Sequence, residues 1–128
     1  EVDVAAVAEQ AVERCRVAYG GIVTVETSPC VLEADALEWE RCLFNLLENG
    51  CRAAGDDGKV AVRVWTDADV LRVSVGDSGP GYGRSVAGRA SLGMVTVSRV
   101  VERHGGHVEI GQSSLGGAQV TLVVPPAR

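Results

Sequence analysis

Aromatic side chains are scarce in this chain, at 4% of its 128 residues, so any core must be built from valine, leucine, isoleucine and alanine. Long apolar runs are absent as well. No stretch approaches the roughly 20 residues needed to span a bilayer, and no secretory leader opens the chain, so we expect no direct membrane contact. Positive charge is in deficit: 12 Lys and Arg face 17 Asp and Glu, for a net charge of −5. Without a basic face the phosphate backbone of a nucleic acid has nothing to bind, so nucleic acid is not an expected partner. The four cysteines, Cys15, Cys30, Cys42 and Cys51, form no C-x-x-C pair and have no zinc-like spacing. Cys42 and Cys51 fall within an apolar helical pattern, where cysteine acts as a small hydrophobe. A reducing, cytoplasmic setting is the corresponding expectation. No repeat, low-complexity tract or linker divides the chain, so residues 1–128 are expected to be one domain. The opening residue is Glu1 and not Met, as in a piece of a longer protein.

What is present is well-punctuated periodicity. Asp3 is a plausible N-cap for a helix to Ala18, since Val4, Val7, Ala8, Ala11, Val12 and Cys15 recur at helical spacing and Gly20-Gly21 ends it. A β-rich run follows at 22–25, and a short strand at 30–32 comes after Pro29. A second helix starts at Asp35, with Glu38 completing a capping box, and stops near Ala54 and Gly55. Val60, Val62 and Val64 alternate with Ala61, Arg63 and Trp65, then a tight turn at 67–69 leads to Leu71, Val73 and Val75, predicting a hairpin. Residues 76–91 read as an irregular loop. Helical spacing resumes from Leu92 to Arg103, and strands near 108–110 and 120–124 close the domain. This order predicts an α+β, two-layer sandwich: a mixed, mostly antiparallel sheet with helices on one face.

Three stretches carry candidate chemistry. On the second helix Asn45, Asn49 and Arg52 stand at i, i+4 and i+7, along one stripe beside the apolar face of Trp39, Leu43, Leu46, Gly50 and Ala53. Amide oxygens are neutral hard donors, suited to a Mg²⁺ that keeps waters and takes other ligands from phosphates, and Arg52 can offset phosphate charge. The plain alternative is a solvated polar helix face. Asp77-Ser78-Gly79-Pro80-Gly81 follows directly on a strand. A carboxylate fixed there can accept from the exocyclic amine of adenine, while the glycines let a ligand approach the main chain. The plain alternative is an Asp-Gly turn. Ser91-Leu92-Gly93-Met94 begins the last helix, whose free amides and dipole suit a phosphate; otherwise it is an ordinary helix start.

Taken in order, Asn45 to Asn49, Asp77-x-Gly79-x-Gly81, Leu92-Gly93 and Glu102-Arg-His-Gly-Gly106 resemble the ATP-binding domain of bacterial sensor histidine kinases. That domain has the Bergerat fold, shared with gyrase and a heat-shock chaperone, and the resemblance covers essentially the whole chain. It implies that Asn49 is the principal Mg²⁺ ligand, with Asn45 one turn earlier, and that Arg52 contacts phosphate. It likewise implies that Asp77 reads adenine within a loop shaped by Gly79 and Gly81, and that Gly93 lies at the phosphate end of the last helix. The implied cofactors are ATP and Mg²⁺. The implied partners are a histidine-bearing dimerisation domain, absent from this chain, and a response regulator.

ATP-hydrolysing relatives are similar but carry Glu where this chain has Asn45, and an amide cannot take a proton from water, so slow hydrolysis is expected. Of the two histidines, His104 is expected to complement the end of the last helix, so neither is expected to be the phosphoacceptor. The chain also departs from the family pattern. Only 82–91 remain where typical kinases have a much longer lid, and Arg89-Ala90-Ser91 replaces a glycine-rich run. Arg84, Arg89, Ser85 and Ser91 either compensate as phosphate contacts or form a solvated basic loop. Weak nucleotide affinity is the expectation. Two alternatives remain beside the kinase: a degenerate module acting through protein contacts, and a serine kinase of the anti-sigma type.

Overall fold

A computed structural model describes residues 1–79 and 92–126. Its elements run β1 (Val2–Asp3), α1 (Val4–Ala18), β2 (Ile22–Thr27), β3 (Val31–Leu32), α2 (Ala36–Ala54), β4 (Lys59–Asp67), β5 (Val70–Asp77), α3 (Leu92–Arg103), β6 (His107–Gln112) and β7 (Ala118–Val124). The helix starts obey the expected chemistry. The Asp3 carboxylate accepts from the Ala6 amide at 3.1 Å and that of Asp35 from the Glu38 amide at 3.2 Å. Gly55, at φ +79°, ends α2 in the left-handed region that favours glycine. One expectation changes: β1, a two-residue strand too short to show periodicity, pairs with β3 in a separate ribbon.

The main sheet has the order β2-β4-β5-β7-β6. β2 runs parallel to β4, from Ile22 opposite Lys59 to Thr27 opposite Val64, and the other pairs are antiparallel. The parallel pair follows from the route of the chain, since a crossover containing α2 separates the two strands. Between β4 and β5, Ala68 and Asp69 both have positive φ, 52° and 67°, so the hairpin turns in the sense that matches sheet twist.

Helices cover one face only. Val60, Val62 and Val64 of β4 register with Asp77, Val75 and Val73 of β5, and β7 adds Val120, Leu122 and Val124 to that face. All of these valines and Leu122 are buried, and Trp39, Leu43, Leu46 and Leu47 of α2 lie against them. Burying each such side chain contributes about 1.5–3 kcal/mol. Trp39 is fully buried, yet its indole N–H is satisfied, donating to His104 Nε2 at 3.3 Å. His104, which follows α3, therefore locks the end of that helix to α2, beside an Arg103–Glu38 ion pair. Its Nε2 serves as an acceptor for tryptophan, a contact that the sequence did not indicate.

Packing also brings α2 down onto β5. A Cβ built on Gly50 would lie 2.9 Å from Val75 Cγ1 and 3.7 Å from Val60 Cγ1. The helix thus rests on the last apolar row of the sheet, one row short of Asp77.

Candidate functional site

Asp77 continues the inward-facing file of Val73 and Val75 as a carboxylate at the end of a buried strand, only 4% exposed. Its Oδ1 accepts two main-chain amides, Gly79 at 2.9 Å and Ala118 at 3.2 Å, and its own carbonyl accepts from the Gly117 amide at 2.9 Å. Oδ2 has no partner among the described residues, and no unsatisfied side-chain oxygen there is sealed from solvent. One oxygen is fixed by main-chain amides, and the other is left without a partner among the described residues. Burial raises the Asp77 pKa above the usual 3.8, against the lowering effect of the two amide bonds.

The loop after Asp77 is fastened from two directions. Ser78 donates its amide to the Lys59 carbonyl at 3.0 Å and accepts the Lys59 amide at its hydroxyl at 2.8 Å. A Cβ on Gly79 would fall 2.3 Å from the Ala53 carbonyl oxygen, so only glycine lets the loop pass under the last turn of α2. The approach of Gly79 to Ala53 and of Gly50 to Val75 brings the Asp77 strand end and the Asn49–Ala53 turn of α2 to the same end of the molecule.

On α2 itself Asn45 and Asn49 are half-buried, and among the described residues neither side chain makes a hydrogen bond. Gly93, in the first turn of α3, closes the third side: a Cβ there would stand 3.5 Å from Asn45 Cβ and Cγ and 3.6 Å from its Oδ1. The structure therefore sets Asn45 beside the start of α3 and the last turn of α2 beside the Asp77 turn. No group of three or more His, Cys, Asp or Glu suited to a metal occurs among the described residues. A cation here would be held by amide oxygens together with a ligand's own oxygens, a donor set that fits a hard ion such as Mg²⁺.

Arg52 is exposed. Its Nε donates to the Tyr19 hydroxyl at 3.3 Å and its Nη2 lies 3.6 Å from Glu48 Oε1. The Tyr19 hydroxyl first, and then the Glu48 carboxylate, raise its pKa further above the ordinary guanidinium value. Leu92 heads α3, while Gly81, Arg84, Ser85, Arg89 and Ser91 lie outside the described residues. Cys42 is buried, which pushes its thiol up to about 12, and all four cysteines are free thiols, in keeping with their reading as hydrophobes.

Sequence reasoning missed Gly117 and Ala118. A Cβ on Gly117 would fall 2.2 Å from Asp77 Oδ1 and 2.6 Å from its carbonyl oxygen, so glycine is required for this turn to clasp the carboxylate. The available signal was the Gly116-Gly117 pair between the last two strands.

Comparison with known proteins points the same way. A family model described as histidine kinase-, DNA gyrase B- and HSP90-like ATPase matches residues 34–128. The sensor histidine kinase ZraS of Klebsiella oxytoca is 33% identical over 115 aligned positions, covering 80% of this chain and 25% of that protein. The histidine-protein kinase/phosphatase MprB of Mycolicibacterium smegmatis is 31% identical over 149 positions, covering 99% of this chain and 30% of that one. The chain thus spans less than a third of the length of these relatives. The second alignment is longer than the chain, so that relative carries residues this one lacks. Among solved structures, a mycobacterial sensor histidine kinase MprB superposes with a TM-score of 0.83 at 24% identity, covering 98% of this chain and 99% of that one.

Proposed function

This chain belongs to the family of histidine kinase-, DNA gyrase B- and HSP90-like ATPases, and from that membership we propose that it is the ATP-binding catalytic domain of a two-component sensor histidine kinase. In this reading it holds ATP and passes the γ-phosphoryl group to a histidine on a separate dimerisation domain, from which a response regulator is served. The observation that carries the reading is Asp77: a buried carboxylate with one oxygen fixed by main-chain amides and the other without a partner among the described residues. An adenine amine is a donor of the right kind for that oxygen.

The remaining roles follow from chemistry and position. Asn49 and Asn45 would hold Mg²⁺ through their amide oxygens. When bound, that ion would neutralise charge on the phosphates. Arg52 and the amides of the first turn of α3 at Gly93 would meet the same charge, and by their place in the sequence Ser91, Leu92, Arg84 and Arg89 would add phosphate contacts. Gly79 and Gly81 would let the base approach the main chain after Asp77. Asn45 cannot serve as a base toward water, so ATP is kept for transfer and hydrolysis is slow. Phosphoryl transfer needs mainly positioning and charge stabilisation, which such a donor set supplies. No helix among the described residues is long and apolar enough to cross a membrane. We place the domain in the cytoplasm, where ATP is available.

The short segment 82–91 and its Arg89-Ala90-Ser91 run support weak affinity, because little chain remains to cover the phosphates. Calorimetric titration with a non-hydrolysable ATP analogue, with and without Mg²⁺, tests the reading. Metal-dependent binding that is lost in Asn49→Ala is the expected result. No heat under either condition would overturn it in favour of a module acting through protein contacts.

A further inference from the structure

The end of α1 reaches Arg52, a candidate phosphate contact, through Tyr19. Tyr19 caps α1 with extended backbone (φ −129°, ψ 148°), its amide donating to the Cys15 carbonyl at 2.9 Å. Its ring is packed against the core, between the start of β2 and the last turn of α2, where Cys51, Ala54 and Gly58 line the same crevice. A ring seated this way has little freedom, so the hydroxyl is delivered to a fixed point. That point is Arg52 Nε.

How the guanidinium is occupied decides what the contact does. Nε is taken by Tyr19, and Nη2 leans toward Glu48. These atoms form one edge of the planar fork. Nη1 has no partner among the described residues, and the side chain is 60% exposed. The Nη1–Nη2 edge is thus the one left for a ligand, Nη1 being without a protein partner among the described residues, and that edge takes two oxygens of a phosphate in parallel. An arginine on an open helix surface otherwise samples many rotamers, and fixing them opposes binding. Holding the Nε edge on a rigid hydroxyl removes part of that entropy loss before ligand arrives.

We propose that Tyr19 is a positioning residue that holds Arg52 by its Nε edge so that the opposite edge is set to receive the phosphates of the nucleotide. The inference rests on the reading that this site binds ATP. It gives α1, which carries none of the motifs found in the sequence, a part in phosphate recognition.

The test is titration of ATP and of adenosine, in Mg²⁺, into the wild-type chain and the Tyr19→Phe, Arg52→Ala and Tyr19→Phe/Arg52→Ala variants. Phenylalanine keeps the packed ring and removes only the hydroxyl. The expected result is an ATP affinity about five-fold lower in Tyr19→Phe, as for the loss of one hydrogen bond, with adenosine affinity unchanged. In the Arg52→Ala background the tyrosine substitution should change nothing further. Equal losses for ATP and adenosine, or a full Tyr19→Phe effect persisting without Arg52, would mark the tyrosine as merely structural. ATP binding intact and unaltered in Tyr19→Phe removes this inference alone. Absence of ATP binding by the wild type removes it together with the reading it rests on.

Discussion

The two ends of the candidate site are built on opposite plans. At the Asp77 end almost everything is closed: a buried carboxylate, three main-chain amides from two turns, and glycines at 79 and 117 without which those turns would collide with their neighbours. At the Asn45–Arg52 end the polar groups are half-buried or exposed, and the two amides have no protein partner among the described residues. The contrast follows from what each end would bind. A purine is a neutral, rigid object whose recognition gains from a preformed mould. A triphosphate with its ion is highly charged and brings its own ligands, so groups left unpaired lose little to water beforehand and gain strongly on contact.

If that contrast is right, perturbations at the closed end should be the severe ones. Asp77→Asn should have the largest effect. The amide oxygen can keep the Gly79 and Ala118 amides, which leaves an NH₂ where Oδ2 was, a donor facing a donor. We expect nucleotide affinity to fall by about a hundred-fold, as for a buried polar group left mismatched, with the circular dichroism spectrum unchanged. Gly117→Ala comes next. Its Cβ would overlap Asp77 Oδ1, so the clasp must open. Thermal unfolding should show a loss of about 1–3 kcal/mol, and calorimetry a fall in nucleotide affinity smaller than that of Asp77→Asn.

Acidification sharpens the comparison without a substitution. Burial raises the Asp77 pKa above 3.8, so between 3.8 and the raised value the folded chain binds more protons than the unfolded one. The contribution of this group to stability is therefore full below 3.8 and is lost as pH rises through the raised value. Nucleotide binding should run the other way. It needs the unprotonated oxygen and should weaken on acidification before an ordinary aspartate would titrate. Binding that holds down to the ordinary aspartate range would show that this carboxylate does not face the ligand. The smallest effect belongs to the open end. Gly93→Ala places a methyl at ordinary contact distance from Asn45, so binding should change by less than about three-fold. Stability should rise by up to about 1 kcal/mol from the better helix former.

The same division separates what could be read in the sequence from what could not. Periodicity and caps located the three helices and the five strands of the main sheet, because Asp3, Asp35, Gly55 and the alternating valines act within a few residues of themselves. The i, i+4, i+7 stripe was legible for the same reason. The clasp on Asp77 was not, because Gly117 reaches it only through the pairing of β5 with β7, where Gly76 stands opposite Gln119. Tyr19 and Arg52 likewise meet only once α1 packs on α2. The partner of His104 was hidden for a related reason: Trp39 lies on another helix. What sequence alone hides here is long-range contact, not chemistry.

Where Gly50 meets the methyl groups of Val75 and Val60, it acts as a spacer of zero thickness between the two layers. A single added carbon at this position would have to lift the helix or displace a valine, altering how α2 sits over the strand that ends in Asp77. The width of the cleft is thus adjustable from beneath, at a residue that no ligand would touch.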